Sequence, residues 1–189
     1  GNNTVTTGSG SDTITTGDGT NTVDAGAGNN TVTTGTGADS ITAGTGNDTV
    51  AAGDGTNTVD AGAGDNFVTT GSGADSITAD AGNDSIIAGA GNDSINAGDG
   101  TNTIDAGAGN NTVTTGTGAD SITAGAGNDV INAGDGDNTV DAGAGNNTVT
   151  TGTGADVITT GDGSNNINSG AGADSVKTGA DADSIVVGA

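Results

Sequence analysis

The sequence is a tandem array of nine-residue units, and this periodicity constrains the fold more than any other feature. Twenty complete units run from Gly8 to Val187 without a slip in register, after a truncated first copy. The unit has Gly at positions one and three, Asp or Asn at position five and Val or Ile at position seven, as in the segment Gly89 to Ala97, GAGNDSINA. Repetition at a short fixed period predicts a solenoid in which each unit packs only on its neighbours.

Each unit encodes one tight turn followed by one short strand. Two glycines separated by a single residue are typical of a turn that needs positive φ or close backbone approach. The triplets that follow, such as Thr31-Val32-Thr33, alternate polar and β-branched apolar residues. This alternation predicts a strand that faces inward at position seven alone, so stacked copies would form an inner ladder of Val and Ile. We expect one uninterrupted domain over residues 1–189, as part of a longer array.

Composition argues against a conventional core and against several classes of partner. Phe67 is the sole aromatic residue, Lys177 is the sole basic residue, and 24 acidic residues give a formal charge of −23. A chain of this charge repels nucleic acid and anionic lipid. No apolar run approaches the length of a membrane span. We therefore expect neither nucleic-acid binding nor membrane insertion.

The residue types that usually carry catalysis are missing. The chain has no Cys, His, Glu or Tyr, and no position stands apart from its repeats. Without Cys and His, disulfides are impossible, and zinc and most transition metals lose their usual ligands. The sequence therefore predicts that the chain is not an enzyme. Its dense negative charge instead predicts that the chain binds cations, which would neutralise the repulsion between its Asp residues.

The unbroken pattern GxGx[DN]x[VI] resembles the RTX (hemolysin-type) family of calcium-binding nonapeptide repeats, and the resemblance covers the whole chain. It implies an all-β fold, a right-handed parallel β-roll solenoid with two nonapeptides (about 18 residues) per coil and roughly ten coils. It also implies multiple Ca²⁺ ions in rows between successive turns. The chain departs from the family pattern before the first Gly, where Ala or Thr is commonest, and at position five, where Asn often replaces Asp.

Position five supplies the main candidate calcium ligands. Ca²⁺ takes about six to eight oxygen ligands from carboxylates, amides and backbone carbonyls, and Mg²⁺ is less suited to a site made mainly of backbone oxygens. The Gly-rich turns expose such carbonyls. The resemblance assigns metal binding to the Asp copies, which are Asp12, Asp39, Asp48, Asp75, Asp84, Asp93, Asp120, Asp129, Asp156, Asp174 and Asp183.

Asn at position five forms a second group of candidates. These residues either bind calcium or only stabilise their own turns as Asx residues. If alternate units lie on opposite faces, Asp and Asn mostly alternate down each face, so an ion between neighbouring turns would meet one carboxylate and one amide. Asp75 and Asp93 break the alternation, which predicts a tighter site with two carboxylates. The Asn copies are Asn21, Asn30, Asn57, Asn66, Asn102, Asn111, Asn138, Asn147 and Asn165.

The remaining Asp residues recur in Gly-Asp-Gly units with a longer period. At position two they either support calcium binding or only confer solubility; these are Asp18, Asp54, Asp99, Asp135 and Asp162. At position eight we expect solvated charges on the outer strand face; these are Asp24, Asp60, Asp105 and Asp141. The units recur every 36 residues, but Gly53 and Gly98 are 45 apart. The added nonapeptide predicts that later copies exchange faces, and the early unit at Gly161 predicts that they return.

Together these patterns predict a calcium-binding structural module of a secreted, extracellular or cell-surface protein, such as an adhesin stalk, a surface layer or a filament. Two Val or Ile per coil bury little surface compared with the entropy of ordering the coil, so folding is expected to need calcium. Head-to-tail self-association into fibres is a further expectation. The alternatives are an ice-binding solenoid that uses outward Thr pairs such as Thr13 and Thr15, or an RTX module attached to a secreted enzyme or toxin.

Overall fold

The chain forms 21 short strands separated by turns. The computed structural model describes residues 1–188, and Ala189, the last residue of the predicted array, lies outside them. No helix occurs among the described residues, so none of them belongs to a helix that could cross a membrane. The strands are β1 Thr4–Thr6, β2 Thr13–Gly17, β3 Thr22–Asp24, β4 Thr31–Thr34, β5 Ser40–Thr42, β6 Thr49–Ala51, β7 Thr58–Asp60, β8 Phe67–Thr69, β9 Ser76–Thr78, β10 Ser85–Ile87, β11 Ser94–Gly98, β12 Thr103–Asp105, β13 Thr112–Thr115, β14 Ser121–Thr123, β15 Val130–Asn132, β16 Thr139–Asp141, β17 Thr148–Thr150, β18 Val157–Thr159, β19 Asn166–Asn168, β20 Ser175–Lys177 and β21 Ser184–Val186.

Successive strands alternate between two parallel sheets. The odd-numbered strands form an 11-stranded sheet and the even-numbered strands a 10-stranded sheet, each in chain order. Each strand from β1 to β19 pairs with the strand two units later, so Val5 lies beside Val23 and Ile14 beside Val32. This register confirms two nonapeptides per coil and roughly ten coils. At about 4.8 Å between paired strands, the solenoid is about 50 Å long.

The core lies between the sheets and includes more of each unit than the sequence indicated. The expectation that only position seven faces inward is wrong. Asn21, Val23 and Ala25, at positions five, seven and nine of one unit, are all at least 98% buried. The side chains alternate about the strand axis, and this alternation continues past both strand ends. Position five therefore points into the coil and not outward from the turn.

Stacking of the turns depends on glycine at close range. Gly44 has φ of +99°, and a Cβ placed on it would lie 1.8 Å from the carbonyl oxygen of Gly26 one coil earlier. No side chain fits there. The same approach aligns the turn carbonyls of successive coils, and these carbonyls form one wall of the site described next.

Candidate metal centre

The residues at position five form a continuous hydrogen-bonded ladder down each edge of the solenoid. Asp39 Oδ1 accepts the backbone N–H of Asn21 at 2.8 Å, and Asn57 Oδ1 accepts the backbone N–H of Asp39 at 3.0 Å. Asp and Asn are interchangeable in this role because each offers one oxygen. The spacing of one coil confirms that Asp and Asn mostly alternate on each edge.

The amide nitrogen, Nδ2, of each Asn side chain faces the glycine carbonyls of its own turn. Asn66 Nδ2 donates to the carbonyl oxygens of Gly62 at 2.8 Å and Gly64 at 2.9 Å. All nine Asn candidates donate in this way to the glycine at position one. Backbone carbonyls of each turn therefore converge on the point that Nδ2 occupies.

In the Asp copies the same point is held by an oxygen. The carboxylate is planar and its Oδ1 has the ladder role, so Oδ2 occupies the place of the amide nitrogen and faces the carbonyl oxygens. An acceptor facing acceptors has no hydrogen to share, and burial of such an atom is costly. Nine copies have a buried Oδ2 without a hydrogen-bond partner: Asp12, Asp39, Asp48, Asp75, Asp84, Asp93, Asp120, Asp129 and Asp156.

Burial makes the charged form of five of these carboxylates unfavourable. Desolvation raises the pKa of Asp84 to about 6, and charge repulsion from Asp65 and Asp80 adds a smaller increase. Desolvation also raises the pKa of Asp48, Asp75, Asp93 and Asp129. A cation beside Oδ2 would compensate for both effects, because it supplies the positive charge and the missing partner.

The donor set fits a hard divalent cation. Each position combines a carboxylate oxygen with backbone carbonyl oxygens and offers no nitrogen or sulfur ligand, which is the chemistry that Ca²⁺ prefers. Within residues 1–188, no three His, Cys, Asp or Glu side chains come close enough to hold an ion between them. Any ion would therefore depend on backbone oxygens for most of its ligands, as expected for Ca²⁺ more than for Mg²⁺.

The two Asp candidates nearest the C-terminus lie in a different environment. Asp174 Oδ2 accepts a hydrogen bond from Ser169 Oγ at 2.8 Å. Asp183 is only partly buried, and the backbone N–H of Asn165 lowers its pKa. The structure therefore gives a shared, unpartnered environment to nine of the eleven predicted Asp ligands.

Asp at position two has a structural role that the sequence analysis missed. Asp54 Oδ1 accepts both the backbone N–H and the hydroxyl of Ser72, at 2.8 and 2.9 Å, and these hydrogen bonds lower its pKa. Equivalent backbone bonds reach Asp18, Asp99, Asp135 and Asp162. A signal was present in the sequence: in four of the five cases a Ser or Thr follows the Asp after one coil.

The outward Asp residues and the exchange of faces are as predicted. Asp24, Asp60, Asp105 and Asp141 are exposed on the outer surface of their strands. The Gly-Asp-Gly units lead into β3 and β7 of the larger sheet, then into β12 and β16 of the smaller sheet, and then into β19 of the larger sheet again. One added nonapeptide moves each later copy by half a coil, which is why the faces exchange.

Comparison with known proteins identifies the repeat. The family model described as RTX calcium-binding nonapeptide repeat (4 copies) matches ten overlapping segments, at residues 1–32, 24–59, 33–68, 52–86, 69–104, 78–113, 105–140, 114–149, 141–176 and 150–185. Comparisons with curated proteins and with solved structures give no significant match. The matched segments leave only the last four residues uncovered. The chain belongs to the RTX calcium-binding nonapeptide repeat family.

Proposed function

We propose that this chain is a calcium-binding structural module of a secreted or cell-surface protein, and that it folds and stiffens when Ca²⁺ binds. The observation that carries this proposal is the set of nine buried Asp Oδ2 atoms that have no hydrogen-bond partner. Ions that bind only to the folded coil would stabilise it relative to the disordered chain. Membership of a calcium-binding family supports the choice of ion.

The shape supports a role as a spacer. Each coil contacts only the coils before and after it, so the array is a rod about 50 Å long whose length grows with the number of repeats. Extracellular calcium modules bind their ions at about 10⁻⁴ to 10⁻³ M, so such a rod would form outside the cell, where calcium is abundant. An adhesin stalk, a surface layer or an extracellular filament would use a rod of this kind.

Circular dichroism during a calcium titration tests the proposal. In excess chelator we expect the spectrum of a largely disordered chain, and above a threshold of Ca²⁺ we expect a β-sheet spectrum. Mg²⁺ at the same concentration, and NaCl at the same ionic strength, are the controls and should induce much less structure, because neither matches the oxygen-rich site. A β-sheet spectrum that is the same in chelator and in calcium would contradict calcium-dependent folding.

Self-association between copies is part of the proposal. Strand β21 pairs on one side only, and Ile185, Val186 and Val187 are about half exposed, at 45%, 57% and 57%. A further coil, from a continuation of the chain or from a second copy, would cover Ile185 and Val187, which are at the inward-facing positions seven and nine. Sedimentation velocity in calcium should therefore show association that Ile185→Lys weakens, because Ile185 is at the inward-facing position seven. A monomer at all concentrations would exclude assembly through this end.

A further inference from the structure

We infer that Asn at position five takes the place of a calcium ion. The array would then interleave two kinds of turn: Asp turns that bind an ion, and Asn turns that the side-chain amide closes without metal. This inference rests on the proposed calcium binding, which it makes specific to individual copies. It assigns Asn21, Asn30, Asn57, Asn66, Asn102, Asn111, Asn138, Asn147 and Asn165 as positions that bind no ion.

The geometry of neighbouring rungs supports this assignment, where a rung is one position-five residue of the hydrogen-bonded ladder. Asn138 lies between Asp120 and Asp156 on one edge, and all three are linked by the same Oδ1 ladder, at 3.0 and 2.9 Å. Asn138 Nδ2 donates to the carbonyl oxygens of Gly134 at 3.4 Å and Gly136 at 2.9 Å. The Oδ2 atoms of Asp120 and Asp156 have no partner. In the Asn rung, amide hydrogens therefore satisfy the carbonyl oxygens of the turn. In the two Asp rungs, only a cation could satisfy the equivalent carbonyl oxygens.

Both polar atoms of these Asn side chains already make hydrogen bonds. The oxygen already accepts the backbone N–H of the preceding coil, as in the bond from Asp48 N to Asn66 Oδ1 at 3.0 Å. The nitrogen already donates to the turn carbonyls, and an ion at that point would have to displace it. This assignment differs from the expectation of mixed sites, in which an ion between neighbouring turns meets one carboxylate and one amide.

Alternation of the two rungs also reduces repulsion between ions. Ions on successive rungs would lie about 4.8 Å apart, whereas ions on alternate rungs lie about 9.6 Å apart. Because Coulomb energy falls with distance, this spacing about halves the repulsion between neighbouring ions. Asp75 and Asp93 are the internal exception, since the ladder joins them directly at 2.8 Å.

Counting bound calcium by equilibrium dialysis and native mass spectrometry tests the inference. We expect nine tightly bound ions, one for each unpartnered Asp Oδ2. Asp48→Asn should remove one ion and Asn66→Asp, on the next rung, should add one. Asn66→Ala should leave the count unchanged, because the amide holds no ion. Mixed sites predict about twice as many ions in the unmodified chain and a loss of calcium in Asn66→Ala.

A multiple variant tests the same inference without metal. With all nine unpartnered Asp residues replaced by Asn (the core variant), every rung of the complete units carries an amide except those of Asp174 and Asp183 near the C-terminus. We therefore expect a β-sheet spectrum in excess chelator and no bound calcium. Removal of nine charges could favour folding by itself. The matched control therefore replaces nine exposed Asp residues by Asn: Asp18, Asp24, Asp54, Asp60, Asp99, Asp105, Asp135, Asp141 and Asp162. The control should remain disordered in chelator.

The outcomes separate this inference from the proposed function. If the unmodified chain binds no calcium, the proposed function is wrong. If it binds and folds with calcium, but the core variant stays disordered in chelator or Asn66→Ala loses ions, only the inference is wrong. A folded, calcium-free core variant beside a disordered surface control would support the inference.

Discussion

At position five the choice between Asp and Asn changes one terminal atom, and that atom decides whether the turn needs a cation. Both residues give the ladder the same oxygen, so either one keeps the coils in register. The amide nitrogen donates to the glycine carbonyls, whereas the carboxylate oxygen repels them. The backbone is therefore the same in both kinds of turn, while the charge that the turn requires is different.

Acid should partly replace calcium in the Asp turns, because a protonated Oδ2 can donate to the carbonyls as an amide does. The pKa of Asp84 is raised to about 6, above the ordinary value of about 4. Protonation therefore favours the folded coil. This stabilisation is complete below about pH 4 and is lost as the pH rises through about 6.

In chelator, circular dichroism should show more β-sheet at pH 4.5 than at pH 7. The core variant with nine added Asn residues should lack this change, and an unchanged β-sheet content in the unmodified chain would contradict the prediction.

The adjacent carboxylates of Asp75 and Asp93 should make the strongest calcium site. Burial raises the pKa of Asp93, and the nearby charge of Asp75 raises it further, so an ion on either rung would have two carboxylate charges near it. Asp93→Asn should remove the ion of its own rung and weaken calcium binding at Asp75 by about tenfold, or ~1.4 kcal/mol, as measured by isothermal titration calorimetry. Asn111→Ala, on the following rung, is the comparison. An equal or larger effect of Asn111→Ala would show that the second carboxylate adds nothing.

At the scale of the strand, three residues are enough to pack against the core, because each sheet contributes only one layer of side chains to it. The inward residue at position seven packs between its equivalents one coil earlier and one coil later, as Ile86 does between Val68 and Ile104. Where Thr replaces Ala at position nine, the hydroxyl in several copies finds a backbone partner, as in the 2.6 Å bond from Thr34 to the carbonyl of Ala52. The buried hydroxyls of Thr16 and Thr160 have none. Small polar residues can therefore enter this core without loss of register.

Two neighbouring isoleucines in one strand provide a direct test of this packing. Ile86 is fully buried, whereas Ile87 points outward and is 41% exposed. Ile86→Ala should lower the free energy of unfolding in calcium by about 2–5 kcal/mol, because it leaves a cavity. Ile87→Ala should change it by less than about 0.5 kcal/mol. Urea denaturation of the two variants measures the difference, and equal effects would mean that position eight shares the core.

At the scale of the whole molecule, a net charge of −23 opposes a compact rod. Nine of the 24 Asp residues lie inside it with an unpartnered oxygen. Bound divalent ions would neutralise this charge along both edges and stabilise every coil at once. Since each coil packs only on its neighbours, structure should spread along the array once a few coils have formed.

Small-angle scattering should show the corresponding change in size. For a disordered chain of this length the radius of gyration is ~46 Å, and for a compact chain it is ~16 Å. We expect a value near the first in chelator and below about 20 Å in calcium, with a maximum dimension of about 50 Å for the monomer. NaCl at matched ionic strength screens the charges but supplies no ligand-bound ion, so it should give much less compaction. A compact rod in chelator would contradict the coupling of folding to calcium.

The sequence by itself determined the solenoid, the coil of two units, the Val and Ile ladder and the exchange of faces at the added nonapeptide. Each of these follows from periodicity, which needs no knowledge of distant contacts, or from the resemblance that the periodicity supports. The Asp and Asn candidates were also visible, because they recur at one position of the unit.

Only the tertiary structure decided which way those side chains point and what they touch. Positions five and nine are buried in the stacked coils, although the residue pattern indicated burial only at position seven. The bond from Asp54 to Ser72 and the contact of Asn66 Nδ2 with Gly62 depend on backbone atoms whose placement a residue pattern does not encode. The difference between a turn that needs a cation and a turn that has its own amide is therefore a property of the stacked coils.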